Sequence, residues 1–165
     1  MKNIDTVNKN ILDILQENGS ITNAELANQI GLAPATTLER VRKLENSGVI
    51  SKRVALLNHK KVGKDTTAFI AISMAEHSTN ALRRFNIEIQ QMPEVLECYH
   101  IAGEEDYLLK VVVDNMQQYE KFLVQRLSEM SNLGKIRTLF VLSTVKYQTK
   151  IPLNGKLDHK ISKPE

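Results

Sequence analysis

Apolar side chains recur at helical spacing from the first residues of the chain. Ile4, Val7, Ile11, Leu12 and Leu15 fall on one face, which predicts a helix capped by Asp5 and closed at Gly19. A second helix begins at Thr22, because Glu25 stands three positions later and completes a capping box, with Ile21 placed to staple against Leu26. Ala24, Leu26, Ala27 and Ile30 give it a small-residue face for close packing before Gly31 turns the chain. The third helix opens at Pro34, whose missing amide hydrogen would go unpaired there anyway. Leu38, Val41 and Leu44 are expected to point inward and Glu39, Arg40 and Lys43 outward, until Gly48 stops the helix. Ala33 is a poor N-cap, and Ser or Thr in its place is expected to stabilise the helix by about 0.5–2 kcal/mol.

Beyond Gly48 the pattern changes. Val49 to Leu57 reads as an extended segment with Lys52 and Arg53 near a wing tip. The polar, basic stretch NHKKVGKD (58–65) reads as a hinge, its Lys60, Lys61 and Lys64 either solvated or set against phosphates. Strand-like runs then appear at Thr66 to Met74, Val95 to Ala102, Tyr107 to Val113 and Lys135 to Tyr147. Helical spacing appears at Thr79 to Met92 and at Met116 to Met130, where Tyr119, Leu123, Leu127 and Met130 share a face. The order β-α-β-β-α-β is that of a ferredoxin-like unit: one antiparallel sheet with both helices on one face. Right-handed crossovers give the strand order 4-1-3-2. The fold class is α+β, an N-terminal winged helix-turn-helix followed by a C-terminal ferredoxin-like domain. The expected boundaries are 1–57 for the head, 58–65 for the linker, 66–148 for the second domain and 149–165 for a tail, packed at first and frayed after Lys156.

Both faces of the predicted strands carry apolar residues, among them Phe69, Ala71, Leu109, Val111, Phe140 and Leu142. Helices cover only one face, so the other is expected to pack against a second subunit.

Composition narrows the classes. The 165 residues are 42% hydrophobic, enough for real cores, while 22 Lys plus Arg against 19 Asp plus Glu permit an anionic partner without demanding one. The single cysteine, Cys98, excludes an intrachain disulfide and is expected to be a buried, inert thiol. No run approaches the roughly 18 apolar residues of a membrane span, and the start of the chain lacks the apolar core of a signal peptide. A cytoplasmic setting without membrane contact is the resulting expectation.

Two short helices joined by IGLAP match the tight turn of a helix-turn-helix, whose second helix lies in the major groove of double-stranded DNA. Ala35, Thr36, Thr37 and Arg40 are expected to meet base edges, the first three at thymine methyls and Arg40 at guanine. Arg42, Lys43, Lys52 and Arg53 suit phosphates, which position the duplex without choosing sequence. One head would bind weakly, so paired heads are part of the mechanism.

At Gly103-Glu104-Glu105-Asp106 a glycine-freed backbone meets a cluster of carboxylates. Asp106 suits a ligand ammonium, and backbone amides or Thr138 suit a carboxylate, an arrangement fit for a free amino acid; an ordinary acidic hairpin turn is the other reading. His59, His77, His100 and His159 are scattered, with no metal-ligand spacing, no neighbouring nucleophile and no phosphate-cradling glycine loop. No catalytic residue, metal site or cofactor is therefore assigned. A non-DNA amino-acid-binding or metabolic module, or a purely structural assembly protein, remains as the competing class, since topology alone does not set function.

The stretch NGSITNAELANQIGLAPATTLERVRKLENSGVI resembles the helix-turn-helix of the Lrp/AsnC (leucine-responsive/asparagine-responsive) regulators, with Glu39, Arg40, Val41, Arg42, Leu44 and Glu45 in its most characteristic run, followed by Gly48 and Ile50. AGEEDYLLKV resembles the family's glycine-any-any-Asp-Tyr signature at Gly103, Asp106 and Tyr107. The likeness runs from about Ile4 to Val145. It departs at Ala33, where Ser is common, and at Asn8, where Asp is common. The resemblance implies a transcriptional regulator that senses an amino acid, with Gly103, Glu104, Asp106 and Thr138 near the effector and Leu139 and Met116 as further candidates. It also implies dimers that build into octamers, with the effector bound between neighbouring dimers.

Overall fold

The computed structural model describes residues 4–153; the fraying expected after Lys156 falls outside them. The chain forms two compact units, one made of the chain up to Leu56 together with the chain from Lys146 on, the other of Leu57–Val145.

The first unit, the head, holds α1 (Thr6–Glu17), α2 (Asn23–Ile30) and α3 (Pro34–Asn46). Asp5 caps α1 by accepting from the Asn8 amide at 2.7 Å. The capping box on α2 is complete: the Thr22 hydroxyl accepts from the Glu25 amide at 3.2 Å, and the Glu25 carboxylate accepts from the Thr22 amide at 3.1 Å. Ile11, Leu12, Leu26, Val41 and Leu44 form the buried cluster where the helices meet. One inward position differs from expectation. Thr37 is fully buried while Leu38 stands 39% exposed, so the stripe facing the core is Thr37, Val41 and Leu44. Threonine is tolerated there because its hydroxyl donates to the Ala33 carbonyl at 3.1 Å and leaves no polar group unpaired.

The segment after Ser51 forms no strand, so the expected wing has no paired β-structure in the head among the described residues. The chain's own tail lies on the head instead. Gln16 of α1 grips the Ile151 backbone twice, its Oε1 accepting the amide at 2.7 Å and its Nε2 donating to the carbonyl at 3.1 Å. Lys150 pairs with Glu17 and lies 3.9 Å from Asp13, and Leu153 packs against the apolar cluster.

The second unit is a four-stranded sheet of β1 (Thr66–Met74), β2 (Val95–His100), β3 (Tyr107–Val113) and β4 (Leu133–Phe140), in the order β2-β3-β1-β4, all neighbours antiparallel. This is the expected ferredoxin-like order. The helices α4 (Thr79–Ile89) and α5 (Met116–Phe122) cover one face, where Ile70, Ile72, Leu109 and Val111 meet Phe85, Phe122 and Leu127. Burial along β3 alternates strictly, with Tyr107, Leu109, Val111 and Val113 sealed and Leu108, Lys110 and Val112 partly open.

The 58–65 stretch carries a capped 3₁₀ turn (His59–Val62), and Lys64 pairs with Asp114. Two sequence expectations are corrected here. The second helix of this unit widens by one residue through a π turn (Leu123–Leu127), which brings Phe122 and Leu127, five residues apart, both into the core. Cys98 is exposed on edge strand β2, not buried.

The last strand also stops early, at Phe140. Beyond Val141, whose amide donates to Thr67, β1 has no more chain to pair with, and Leu142 and Val145 stand almost fully exposed.

Candidate nucleic-acid interface and effector region

The turn between α2 and α3 is built by local backbone chemistry. Gly31 ends α2 in the left-handed region (φ 69°), a conformation that costs other residues a clash at Cβ. The Leu32 amide then returns to the Ala27 carbonyl at 3.0 Å. Asn23, in the first turn of α2, donates to the Pro34 carbonyl at 2.8 Å and so ties the start of one helix to the start of the next. The angle of α3 is thereby fixed at its N-terminal end.

On α3, Ala35 and Thr36 are exposed, as are Arg42 and Lys43. Thr37, expected among the base-contacting residues, is sealed in the core and is withdrawn from that group. Arg40 was expected to project outward, but its Nη1 donates back to Asp5 Oδ2 at 2.8 Å and Asn8 Oδ1 at 3.1 Å. That guanidinium holds the Asp5 carboxyl below the usual range, with the Asn8 amide adding to the effect. Lys43 pairs with Glu39 one turn earlier at 2.6 Å and lowers the Glu39 carboxyl in turn. Arg53 reaches Glu45 at 2.8 Å, whereas Lys52 is exposed in the segment after α3. The candidate cations thus share the head, but the two on α3 with charged partners differ: the Lys43 side chain is 74% exposed, the Arg40 side chain 33%.

The head also contains an open cavity of about 570 Å³, between Leu12 and Leu15 of α1, Val54 and Leu56 of the extended segment, and Ile151 and Leu153 of the tail. No sequence motif pointed to it, since it exists only because the tail folds back.

In the sheet unit, Gly103 and Glu104 are exposed on the β2–β3 turn. Asp106 is already committed. Its Oδ2 accepts the Met74 amide at 2.7 Å and its Oδ1 meets His77 Nε2 at 2.8 Å, and these bonds, the backbone one foremost, hold its carboxyl below the ordinary value. Glu105 is paired with Arg137 of β4. Arg137 was not singled out from the sequence and His77 was read only as a scattered histidine; the register of β4 brings the first to this turn and the β1–α4 connection the second.

Thr138 lies opposite Ile70 on the helix-covered face, bonded to the Tyr119 hydroxyl, while Leu139 is 48% exposed beside it and opposite Phe69. Met116 begins α5, at the far end of β3 from the turn. Seven residues of strand separate those ends, roughly 20 Å of rise. Within one chain the candidate effector residues therefore occupy separate places.

Comparison with known proteins decides the family. The profile of the Lrp/AsnC ligand binding domain matches residues 67–151, and that of a winged helix-turn-helix DNA-binding domain matches 4–51. The leucine-responsive regulatory protein of Escherichia coli K12 is 35% identical over 155 residues, 94% of each chain. This chain belongs to the Lrp/AsnC family.

Solved members have the same fold. A transcriptional regulator from Neisseria meningitidis in complex with L-Met is 34% identical with a TM-score of 0.87, over 92% of this chain and 98% of that one. An AsnC family regulator from Agrobacterium tumefaciens is 37% identical with a TM-score of 0.85, over 90% and 97%. As an Lrp/AsnC member the chain is a DNA-binding regulator with a ligand-binding domain, not an enzyme. Its two departures from the common Lrp/AsnC pattern fall at telling places. Asn8 sits in the Arg40 clamp, where Asp would add a second negative charge. Ala33 caps α3 without any side-chain bond.

Proposed function

We propose that this Lrp/AsnC chain binds specific double-stranded DNA as an assembly of identical copies and that an amino acid modulates the binding. The observation that carries the DNA reading is the division of α3 into a sealed back of Thr37, Val41 and Leu44 and an exposed front beginning at Ala35 and Thr36. A short amphipathic helix with a polar, cationic front, set by a tight turn behind a capped partner helix, is the form that enters a major groove. Arg42, Lys43, Lys52 and Arg53 surround that front and meet phosphates or bases; Lys43 and Arg53 leave weak surface ion pairs to do so.

Self-association is favoured by the uncovered sheet face. Phe69, Leu108 and Val112 are only partly buried there, and Tyr99 and Leu139 are 50% and 48% exposed. This apolar face, crossed by the Lys110–Glu97 pair, fits a second copy, and four such dimers build the octamer. The effector proposal rests on the Neisseria relative in complex with L-Met and on the Escherichia coli relative's name. Gly103, Glu104, Asp106, Thr138, Leu139 and Met116 stand apart within one chain, so their role requires a site completed between copies. With both Asp106 oxygens bonded, the exposed Glu104 is the freer carboxylate for a ligand ammonium. A cytoplasmic, DNA-associated location follows from this reading.

A gel-shift titration over a genomic fragment library at fixed salt, repeated with each amino acid, tests it. Retention of particular fragments, with affinity changed by at least one amino acid, is expected. Salt-labile binding of equal strength to every duplex would overturn sequence-specific regulation. Heat or affinity changes with no amino acid would remove the sensing claim.

A further inference from the structure

The back of α3 is marked by Thr37, Val41 and Leu44, so its front can be located by helical geometry. At about 100° per residue the opposite direction falls on Ala35, Glu39 and Arg42, at i, i+4 and i+7, with Leu38 at its border. All are exposed, Leu38 at 39% although it is the same size as the buried Leu44. Arg42 has no ion pair or hydrogen bond among the described residues, and its neighbour Glu39 is already neutralised by Lys43 at 2.6 Å. Arg40 lies on the flank toward α1. Its partner Asp5 is also the cap of that helix, accepting the Asn8 amide at 2.7 Å, so the carboxylate that holds Arg40 is itself fixed.

We propose that Arg42, with Leu38 and Ala35 beside it, is the base-reading set of this helix, and that Arg40 is a positioning residue that locks α3 onto α1. The proposal rests on the DNA reading given above. Arg42 supplies the free fork that matches guanine O6 and N7, and Leu38 and Ala35 supply apolar contact for thymine methyls. Arg40 acts through Asp5 and Asn8: it sets the tilt at which the front is presented and touches no base.

The test uses the full-length chain and a retained genomic fragment, with every base pair of the binding site substituted in turn. Arg42→Ala is expected to level discrimination at a guanine position by about five- to hundredfold and to leave the ranking elsewhere intact. Arg40→Ala is expected to weaken all duplexes alike, with the base ranking unchanged and the melting temperature lowered. Asp5→Asn keeps the helix cap but removes the charge, and should reproduce the Arg40→Ala pattern. Adding Asn8→Asp to it restores a carboxylate within reach of Arg40 and should rescue both affinity and melting temperature.

A base-reading Arg40 predicts the reverse, since freeing it from Asp5 would spare or raise affinity. Loss of preference at one base pair in Arg40→Ala, or unchanged preferences in Arg42→Ala, overturns the assignment. A wild-type chain that discriminates no duplex overturns the DNA reading and this assignment with it.

Discussion

In the sheet unit Ile70, Ile72, Leu109, Val111 and Leu127 are wholly sealed within a broad core that both helices cover, whereas the head's buried cluster stops at Ile11, Leu12, Leu26, Val41 and Leu44. The head makes up the difference at its edges. It has a cap on α1, a capping box on α2, the Arg40 clamp and a docked tail. A unit whose third helix must leave its front free cannot surround that helix with core. It holds the helix by its back and its ends.

The sharpest way to break this comparison is to empty each core separately. Leu109→Ala is expected to destabilise the sheet unit by about 2–5 kcal/mol, and Ile11→Ala the head by an amount in the same range. Because the clusters are separate, each substitution should move one of two unfolding transitions followed by calorimetry; a shared shift would show that the units melt as one. Next in size is the tail. Gln16→Ala removes both bonds to Ile151 and should lower the head transition alone, by about 1–3 kcal/mol at roughly 0.5–1.5 per bond.

Ala33→Ser acts in the other direction. The first amides of α3 have no side-chain acceptor, so a hydroxyl there is expected to raise head stability by about 1 kcal/mol, read from denaturant midpoints. The smallest effect belongs to Asp106. Its carboxyl is lowered from 3.8 in the folded chain, chiefly by the Met74 amide, so its stabilisation is complete above that ordinary value and fades as pH falls through the depressed one. Urea unfolding from pH 5 down to 2 should show that acid limb in the sheet transition, and Asp106→Asn should flatten it without touching the head.

Elements governed by local signals could be read directly from the sequence. The Thr22–Glu25 box, the Gly31 turn, the Pro34 start and the strand order each depend on neighbours in the chain or on general handedness. What escaped was decided by packing. Hydropathy ranks Leu38 above Thr37 for the core, yet the fold takes the threonine because the Ala33 carbonyl satisfies its hydroxyl. The run through Tyr147 has strand character, but β4 ends where β1 begins, and no local signal carries that limit. Nor does sequence distance reveal that Asp106 will meet His77 and Met74, or that Arg40 will turn back to Asp5, so the partners of these two side chains are legible only in the fold.

The docked tail makes the head discontinuous in the gene's order, with residues 57–145 translated between its helices and its final contact. At about 5–20 residues per second, roughly 5–20 s pass on the ribosome between the emergence of α3 and that of Ile151. The part begun first is therefore finished last, and every nascent copy assembles its ligand-binding half before its reading half is fastened shut.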